Sequence, residues 1–449
     1  MTKEFYLYNC QKNITSMRQI ADFHIHSKYS RACSRDLTLV NIDAMCRRKG
    51  VDIIGTGDFT YPAWFKSIQE ELQKISPTPS PSPSLGRENL SDGELYVLRN
   101  AVDDKIKFIL TSEVALIYKK NNKCRRVHMV IHAPNIEAVA ELNKQLDKNY
   151  NIRSDGRPIL GMSIEKLCEI CFAIHPKFLI YPAHIWTPWF AIFGSKSGFD
   201  SWEEAFGEYA DKIFAYETGL SSDPEMNWRV SGLDKFTLLS NSDAHSLSNI
   251  AREANVFELA RIDYNEIYNV ITKNDTQKSF LDYTIEFYPE EGMYHFDGHR
   301  DCGFSSSGDE TKRLKCICPK CKKPLILGVD YRVSELADNQ QGRKSKGSNG
   351  FKKVVGLEKI IAEALNIKNR NSKKVQSIYN EMINTLGSEL KILIDLPIAE
   401  IQSAALPSIA LGIERARSGN LIIQPGFDGQ YGVVKIFSEE EKVVQKKML

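Results

Sequence analysis

Over its first 280 residues the chain alternates short apolar runs with amphipathic helical patterns, and this alternation constrains the fold more than any other feature. Runs at 51–55, 107–111, 127–132, 178–182, 212–215 and 237–240 read as strands, and 40–49, 136–144, 163–172 and 202–209 as helices. Such alternation points to an α/β fold with a parallel sheet or a barrel. In these folds functional side chains sit just past the C-terminal ends of strands, which is where Asp58, His184, Glu217 and Asp243 fall. Two motifs sharpen this: Asp22-Phe-His24-Ile-His26 and Asn241-Ser-Asp243-Ala-His245. On an extended strand, residues i and i+2 share a face. His24 with His26, and Asp243 with His245, are therefore each expected to offer two ligands to one metal site. Imidazole with carboxylate suits Zn, Mn or Fe, and such a site can activate water near neutral pH. The expectation is a metal-dependent hydrolase.

His24, His26, Asp58, Glu113, His128, His184, Asp243 and His245 adjoin apolar β runs, where a lone charge is costly without a partner or a metal. His132 and His175, taken singly, read as satisfied core histidines. Glu217 and Asp223, both catalytic candidates, follow a strand in Tyr-Glu217-Thr-Gly-Leu-Ser-Ser-Asp223-Pro. Asp223 reads equally as a helix cap, with Pro224 at the first helical position, and as a general acid or base.

At 449 residues the chain exceeds one ordinary core, and it divides into 1–282, 283–330 and 331–449. The tract Ser76–Ser84 alternates Ser or Thr with Pro, so it is neither helix nor central strand, and a flexible surface insertion is expected. Hydrophobic content of 42% and charged content of 26% are ordinary for a soluble globular protein. Lys3, Glu4, Lys12 and Arg18 interrupt any secretory pattern. The apolar stretch 178–195 holds Pro182, His184 and Pro188, which argues against a membrane span. A cytoplasmic protein with no membrane partner is expected.

Four of the ten cysteines crowd between Cys302 and Cys321. His299-Arg-Asp-Cys302 and Cys318-Pro-Lys-Cys321 are two pairs with the spacing of a structural zinc site. Cys316 is an alternative fourth ligand to His299. Cys168-Glu-Ile-Cys171 lies in a helical pattern and carries little weight.

The net charge of +2 hides an asymmetry: Lys312–Val375 holds 17 Lys/Arg against 5 Asp/Glu. A basic segment of this kind suits a polyanion. Arg343, Lys344, Lys346, Lys352, Lys353, Lys373 and Lys374 are its best candidates for gripping a DNA backbone. Trp228 and Arg229, after Asn227, can stack on a base or hold a phosphate. Trp64, Trp186, Trp189 and Tyr431 are further stacking candidates.

The ordered set Asp22-Phe-His24-Ile-His26, Gly-Asp58, Ser-Glu113, Val-His128, Pro-Ala-His184 and Ser-Asp243-Ala-His245 resembles the PHP superfamily. That resemblance implies a distorted (β/α)7 barrel holding two or three divalent ions (Zn, Mn or Mg) for phosphoester hydrolysis. It implies ligand roles for His24, His26, Glu113, His128, His184, Asp243 and His245, with Glu113 bridging two ions and Asp58 a further ligand and catalytic candidate. The chain departs from the usual Asp-His at Asp58-Phe59. Beyond the barrel, a small zinc module and an α+β C-terminal domain are expected. Tyr294-His-Phe-Asp-Gly-His-Arg-Asp-Cys302, Cys318-Pro-Lys-Cys-Lys-Lys-Pro, Arg332-Val-Ser-Glu-Leu-Ala-Asp338 and Pro425-Gly-Phe-Asp-Gly-Gln-Tyr-Gly432 resemble the endonuclease Q family. This implies nicking of double- or single-stranded DNA 5′ of deaminated bases (hypoxanthine, uracil, xanthine) and abasic sites, with base extrusion and a sliding clamp as a candidate partner. The competing expectations are a small-molecule phosphatase of the histidinol phosphate type and a non-catalytic DNA-binding protein with a relict barrel.

Overall fold

The computed structural model describes residues 16–75, 93–274, 276, 278–345, 347–438 and 440–441. The Ser/Pro tract at 76–84, Cys10 and Lys346 lie outside the described residues.

Strand β1 (Met17–Asp22) pairs in parallel with β2 (Ile53–Gly55) across the helix Leu39–Lys49. Thr38 caps that helix by accepting from Asn41 N, and Gly50, left-handed at φ 90°, ends it. β3 (Leu72–Lys74), β4 (Tyr96–Leu98) and β5 (Lys107–Ile109) continue the sheet beyond β2. β6 (Thr111–Lys120) and β7 (Lys123–His132) form a long antiparallel hairpin. It is flanked by β8 (Ile159–Leu160) and β9 (Leu179–Pro182) in a four-stranded sheet. β10 (Ala215–Glu217) and β11 (Thr237–Leu239) pair in parallel. β12 (Ala254–Leu259) and β13 (Phe280–Glu286) then return antiparallel beside β1. A small hairpin follows, β14 (Asp297–His299) with β15 (Phe304–Ser306). β16 (Gly350–Lys353) docks in parallel on β13 and completes an eight-stranded sheet of order β16-β13-β12-β1-β2-β5-β4-β3. β17 (Ile422–Gln424) and β18 (Val433–Lys435) form a last hairpin.

The α/β expectation holds, but the sheets are mixed, not parallel throughout. The departure is largest at β6 and β7, where a single long hairpin occupies what the sequence divides into separate short strands. Hydrogen bonds past the strand ends nevertheless trace a closed path. Thr56 N donates to Ile109 O, Ala133 N to Leu110 O, Ile185 N to Glu217 O and Thr218 N to Leu239 O. Ile25 bridges Ala244 in parallel, with His26 N donating to Ala244 O. The path thus runs from β1 through β2, β5, β7, β9, β10 and β11 and back to β1. One buried cluster receives Ala21, Ile53, Ile109, Val130, Tyr181, Ala215 and Leu239, one side chain from each of these strands. Parallel strands that curl around a shared interior bring their C-terminal ends to one rim; β7 runs antiparallel to β9 and meets the C-terminal end of β9 near His128.

Two expected boundaries fall inside elements. Residue 283 lies within β13, an integral strand of the large sheet, and residue 331 lies within the helix Val329–Leu336, whose Val329 and Val333 join the main core. The polar, glycine-containing stretch that follows this helix is docked at two points: Asp338 accepts from Ser231 N and Oγ, and Arg343 pairs with Asp234. A separate core holds Leu357, Ile361, Tyr379, Ile392, Ile409 and Val434. It is built on the helices Leu357–Ala364, Lys373–Leu386, Ile398–Ala404 and Pro407–Ser418, in keeping with the α+β domain expected there.

Candidate metal centre

Among the residues that follow β2, β9 and β11, three non-glycine positions have left-handed backbones: Asp58 (φ 46°), His184 (φ 29°) and Asp243 (φ 46°). Such conformations cost of order 1–3 kcal/mol each and cluster where a site over-determines them. Here they turn three side chains onto one rim. At Gly219 a Cβ would meet the His184 Cβ at 2.3 Å, so only glycine lets the chain after β10 pass this close.

Two groups of ligand atoms converge there. His24, His26, Glu113 and Asp243 form one, and Glu113, His128 and His184 the other; within each, the atoms lie within 4.8 Å of one another. Glu113 belongs to both, and its two oxygens divide. Oε2 faces His24 Nε2 at 3.5 Å and His26 Nε2 at 3.3 Å, while Oε1 faces His128 Nδ1 at 2.8 Å and His184 Nε2 at 3.2 Å. This is the arrangement a bridging carboxylate needs.

The imidazoles are aimed from behind. His24 Nδ1 lies 3.0 Å from Glu217 Oε2, and His26 Nδ1 lies 2.9 Å from Asp58 Oδ1. Both leave Nε2 directed into the centre, in the manner of carboxylate–histidine pairs behind metals. Asn241 Nδ2 donates to Glu217 Oε2, and Ser27 and Ser30 hydroxyls donate to Asp58 Oδ2. His24 Nε2 is fully buried and has no hydrogen-bond partner among the described residues. A buried nitrogen left open beside two carboxylates fits a metal ligand. Burial works against protonation of His24 and His26, yet Glu217 with Glu113, and Asp58 with Asp243, outweigh it and hold both imidazoles well above their ordinary pKa. Burial pushes His128 down to about 4, so it stays neutral, the ligating form.

Several expected residues stand elsewhere. Asp58 and Glu217 belong to neither ligand group; they orient His26 and His24. Asp243 joins the centre, but its left-handed turn breaks the i,i+2 geometry. His245 therefore falls outside both groups, its ring 4.6 Å from that of His26 and its Nδ1 2.9 Å from Asp243 O. Asp22 is a brace: it accepts from Ser242 N and Ala251 N, and burial pushes it up to about 6. Asp223 caps Pro224–Asn227 through Met226 N, and its other oxygen lies 2.7 Å from Lys353 Nζ. His132 is a core histidine, its Nε2 3.0 Å from Tyr181 OH. Arg157, which no spacing pattern marks, donates to Glu113 Oε2 over 2.9 Å.

A second cluster joins His299, Cys302, Cys318 and Cys321, also within 4.8 Å of one another. Cys316 is turned away and donates to Tyr331 OH. Four clustered N/S donors form a group able to hold a metal ion, and the donor types suit zinc.

The basic candidates divide. Arg343 is held by Asp234 and Trp228 O, Lys353 by Asp223, and buried Arg229 by Ser334 with the Asp309 and Asp330 carboxylates each 3.8 Å away. Their charges are neutralised inside the fold, which a count of charge along the sequence does not reveal. Lys344, Lys352, Lys373 and Lys374 are exposed. Trp64, Trp186 and Trp228 are buried, whereas Trp189 and Tyr431 expose their rings, at 51% and 75%.

Fold and site together define a protein with two groupings of side chains able to hold metal: a His/carboxylate centre at the ends of a curled set of strands, and a Cys/His cluster beyond it. Over 94% of the chain and 96% of the compared chain, the structure resembles the lesion-specific endonuclease PfuEndoQ from Pyrococcus furiosus, with a TM-score of 0.79 and 31% identity. It resembles equally an endonuclease Q in complex with a 27-mer duplex carrying an abasic lesion at the active site (TM-score 0.78, 31% identity, 94% and 98% covered). The chain belongs to the endonuclease Q family. Residues 356–420 match the family described as the MJ0043 C-terminal domain. The chain is 25% identical over 429 residues to YqxK of Bacillus subtilis, covering 92% of this chain and 98% of that protein. It is 31% identical over 264 residues to MJ0043 of Methanocaldococcus jannaschii, spanning 57% of this chain but only 32% of that longer protein. Among the described residues no helix is long and apolar enough to cross a membrane.

Proposed function

We propose that this chain is a metal-dependent DNA repair endonuclease that hydrolyses the phosphodiester 5′ of deaminated bases and abasic sites. The observation that carries the reading is the division of the Glu113 oxygens between two histidine groups, on a chain that matches a lesion-specific endonuclease over nearly its whole length. The closed path of strands around its own core supports a distorted PHP-type barrel.

In this reading His24, His26, Glu113 and Asp243 hold one divalent ion, and Glu113, His128 and His184 a second. Bound ions at such a centre supply a nucleophilic water near neutral pH and neutralise charge on a phosphoryl oxygen. The chain's own contribution is positional. Glu217 and Asp58 fix the tautomers of His24 and His26, Asn241 and the two serines fix those carboxylates, and the left-handed turns set Asp243 and His184. His245 lies at the solvent side of His26, where it can meet the substrate. Asp223 is braced by Lys353 and shapes the turn after β10. The Cys/His cluster holds structural zinc and orders β14, β15 and the loops around them, a segment too poor in apolar residues to do so alone.

Exposed Lys344, Lys352, Lys373 and Lys374 are the proposed backbone contacts, with Trp189 and Tyr431 as faces for an unstacked base. Alanine at Asp243 or His26 should abolish nicking of an abasic duplex while duplex retention persists. Full nicking by either variant would place the chemistry elsewhere.

A further inference from the structure

The loop between the helix Ile136–Asp147 and β8 delivers one more cation to the centre. Arg157 Nη1 donates to Glu113 Oε2, the oxygen that also faces His24 and His26. Its neighbour Gly156 explains how the loop comes so close. A Cβ at 156 would lie 2.4 Å from both Asp58 Oδ2 and Ser30 Oγ, so the backbone is pressed against the very carboxylate that orients His26. Gly156 N donates to Tyr29 O over 3.1 Å, and its carbonyl accepts from Thr60 Oγ1 over 3.4 Å. Asp155 Oδ1 accepts from the backbone N of Arg31 and of Arg157. Just beyond, β8 pairs with β6, the strand that carries Glu113. The guanidinium is therefore set into the centre by a pinned loop, with its side chain 24% exposed.

Four imidazoles already face the two Glu113 oxygens, so the guanidinium is one partner among five there and not the sole group that satisfies the carboxylate. A guanidinium carries five N–H donors in a planar fork matched to phosphate oxygens, and the Glu113 contact engages Nη1 alone. An arginine that reaches a bridging carboxylate from the solvent side sits where a bound phosphodiester would present a non-bridging oxygen.

We propose that Arg157 holds the scissile phosphate, donating to a non-bridging oxygen and fixing the phosphodiester against the ligand groups that share Glu113. This deepens the endonuclease reading and rests on it only for the identity of the phosphodiester.

The test uses the metal-loaded full chain as wild type, Arg157→Gln and Arg157→Lys. Metal content is measured by elemental analysis, and turnover is followed on an abasic duplex and on bis(p-nitrophenyl) phosphate. Arg157→Gln should keep wild-type metal content and lose about 100-fold in kcat/KM on both substrates, the usual scale for removal of a donor to developing charge. Competition by inorganic phosphate should weaken about 10-fold, as expected for one charge-assisted hydrogen bond, and Arg157→Lys should recover part of both. Wild-type turnover in Arg157→Gln at full metal content overturns the assignment. So does a loss that tracks metal content and is restored by added Mn, since Arg157 would then serve only to balance Glu113. If lesion duplexes stay uncut while bis(p-nitrophenyl) phosphate hydrolysis falls in the variant, the lesion reading fails and Arg157 stands. Turnover of neither substrate by loaded wild type refutes both.

Discussion

His26 Nδ1 lies 2.9 Å from Asp58 Oδ1, and this contact leaves His26 Nε2 as the nitrogen that faces Glu113 and Asp243. The relation is repeated between His24 and Glu217. Both carboxylates act through the imidazoles they hold. Asp58→Asn and Glu217→Gln, which keep the shape but lose the charge, are each expected to weaken metal affinity by about 10–100-fold. Competitive titration against a metal-sensitive dye checks this. Wild-type affinity in both variants would mean that the carboxylates do not set the ring orientation.

The Cys/His cluster gives a sharper residue-level expectation. Cys321→Ser and His299→Ala should each lower zinc content by one ion per chain and lower the thermal midpoint, because removing a ligand opens the site. Cys316→Ser should leave zinc content at the wild-type value, since that thiol donates to Tyr331 OH. Elemental analysis with calorimetry distinguishes the two outcomes.

Lys353 and Lys373 separate structural from DNA-facing charge. Lys353 is largely buried against Asp223, so Lys353→Met strands a buried carboxylate and is expected to cost about 3 kcal/mol of stability. It should not change the salt dependence of DNA binding. Lys373→Met and Lys374→Met should do the reverse: little change in stability, and a salt slope smaller by about one for each phosphate left without its lysine. Chemical denaturation and DNA affinity at several salt concentrations read the two effects independently.

Glu286 carries a pH signature. Burial, with the nearby Asp223 carboxylate, pushes it up to about 8, against the hydrogen bond from Thr284 that favours ionisation. The folded value lies above the ordinary 4.5, so the fold prefers the protonated acid. Its contribution to stability is complete below the ordinary value and is lost as pH rises through about 8. The wild-type thermal midpoint should therefore fall more steeply than that of Glu286→Gln across this window. Parallel slopes in calorimetry at constant ionic strength would show that Glu286 is ionised in the fold.

Much of the centre was legible because ligand chemistry imposes residue types: His24, His26, His184 and Asp243 just past strand ends converge with Glu113 and His128 from within the β6–β7 hairpin. His245 did not follow the i,i+2 rule, because Asp243 adopts a left-handed turn that sequence spacing does not encode. Arg157 escaped notice because a lone arginine in a Gly-Arg-Pro loop has no periodicity; only the packing of Gly156 on Asp58 gives it meaning. Arg343, Lys353 and Arg229 have acidic partners that the sequence hides for a different reason. Local charge is visible in the sequence, but their partners Asp234, Asp223, and Asp309 with Asp330, lie on distant segments. The strand–helix alternation disclosed the α/β class, while the long β6–β7 hairpin and the docking of β16 on β13 depend on non-local pairing.

The most direct measurement is incubation of the metal-loaded protein with duplexes containing a single hypoxanthine, uracil or abasic site, beside an undamaged control, with Mg or Mn supplied and chain ends mapped. Nicks on the 5′ side of the lesion, leaving a 3′-hydroxyl and a 5′-phosphate and abolished by EDTA, are the expected result. No cleavage of any lesion duplex by protein shown to carry its metals, or equal cleavage of the undamaged control, would contradict it.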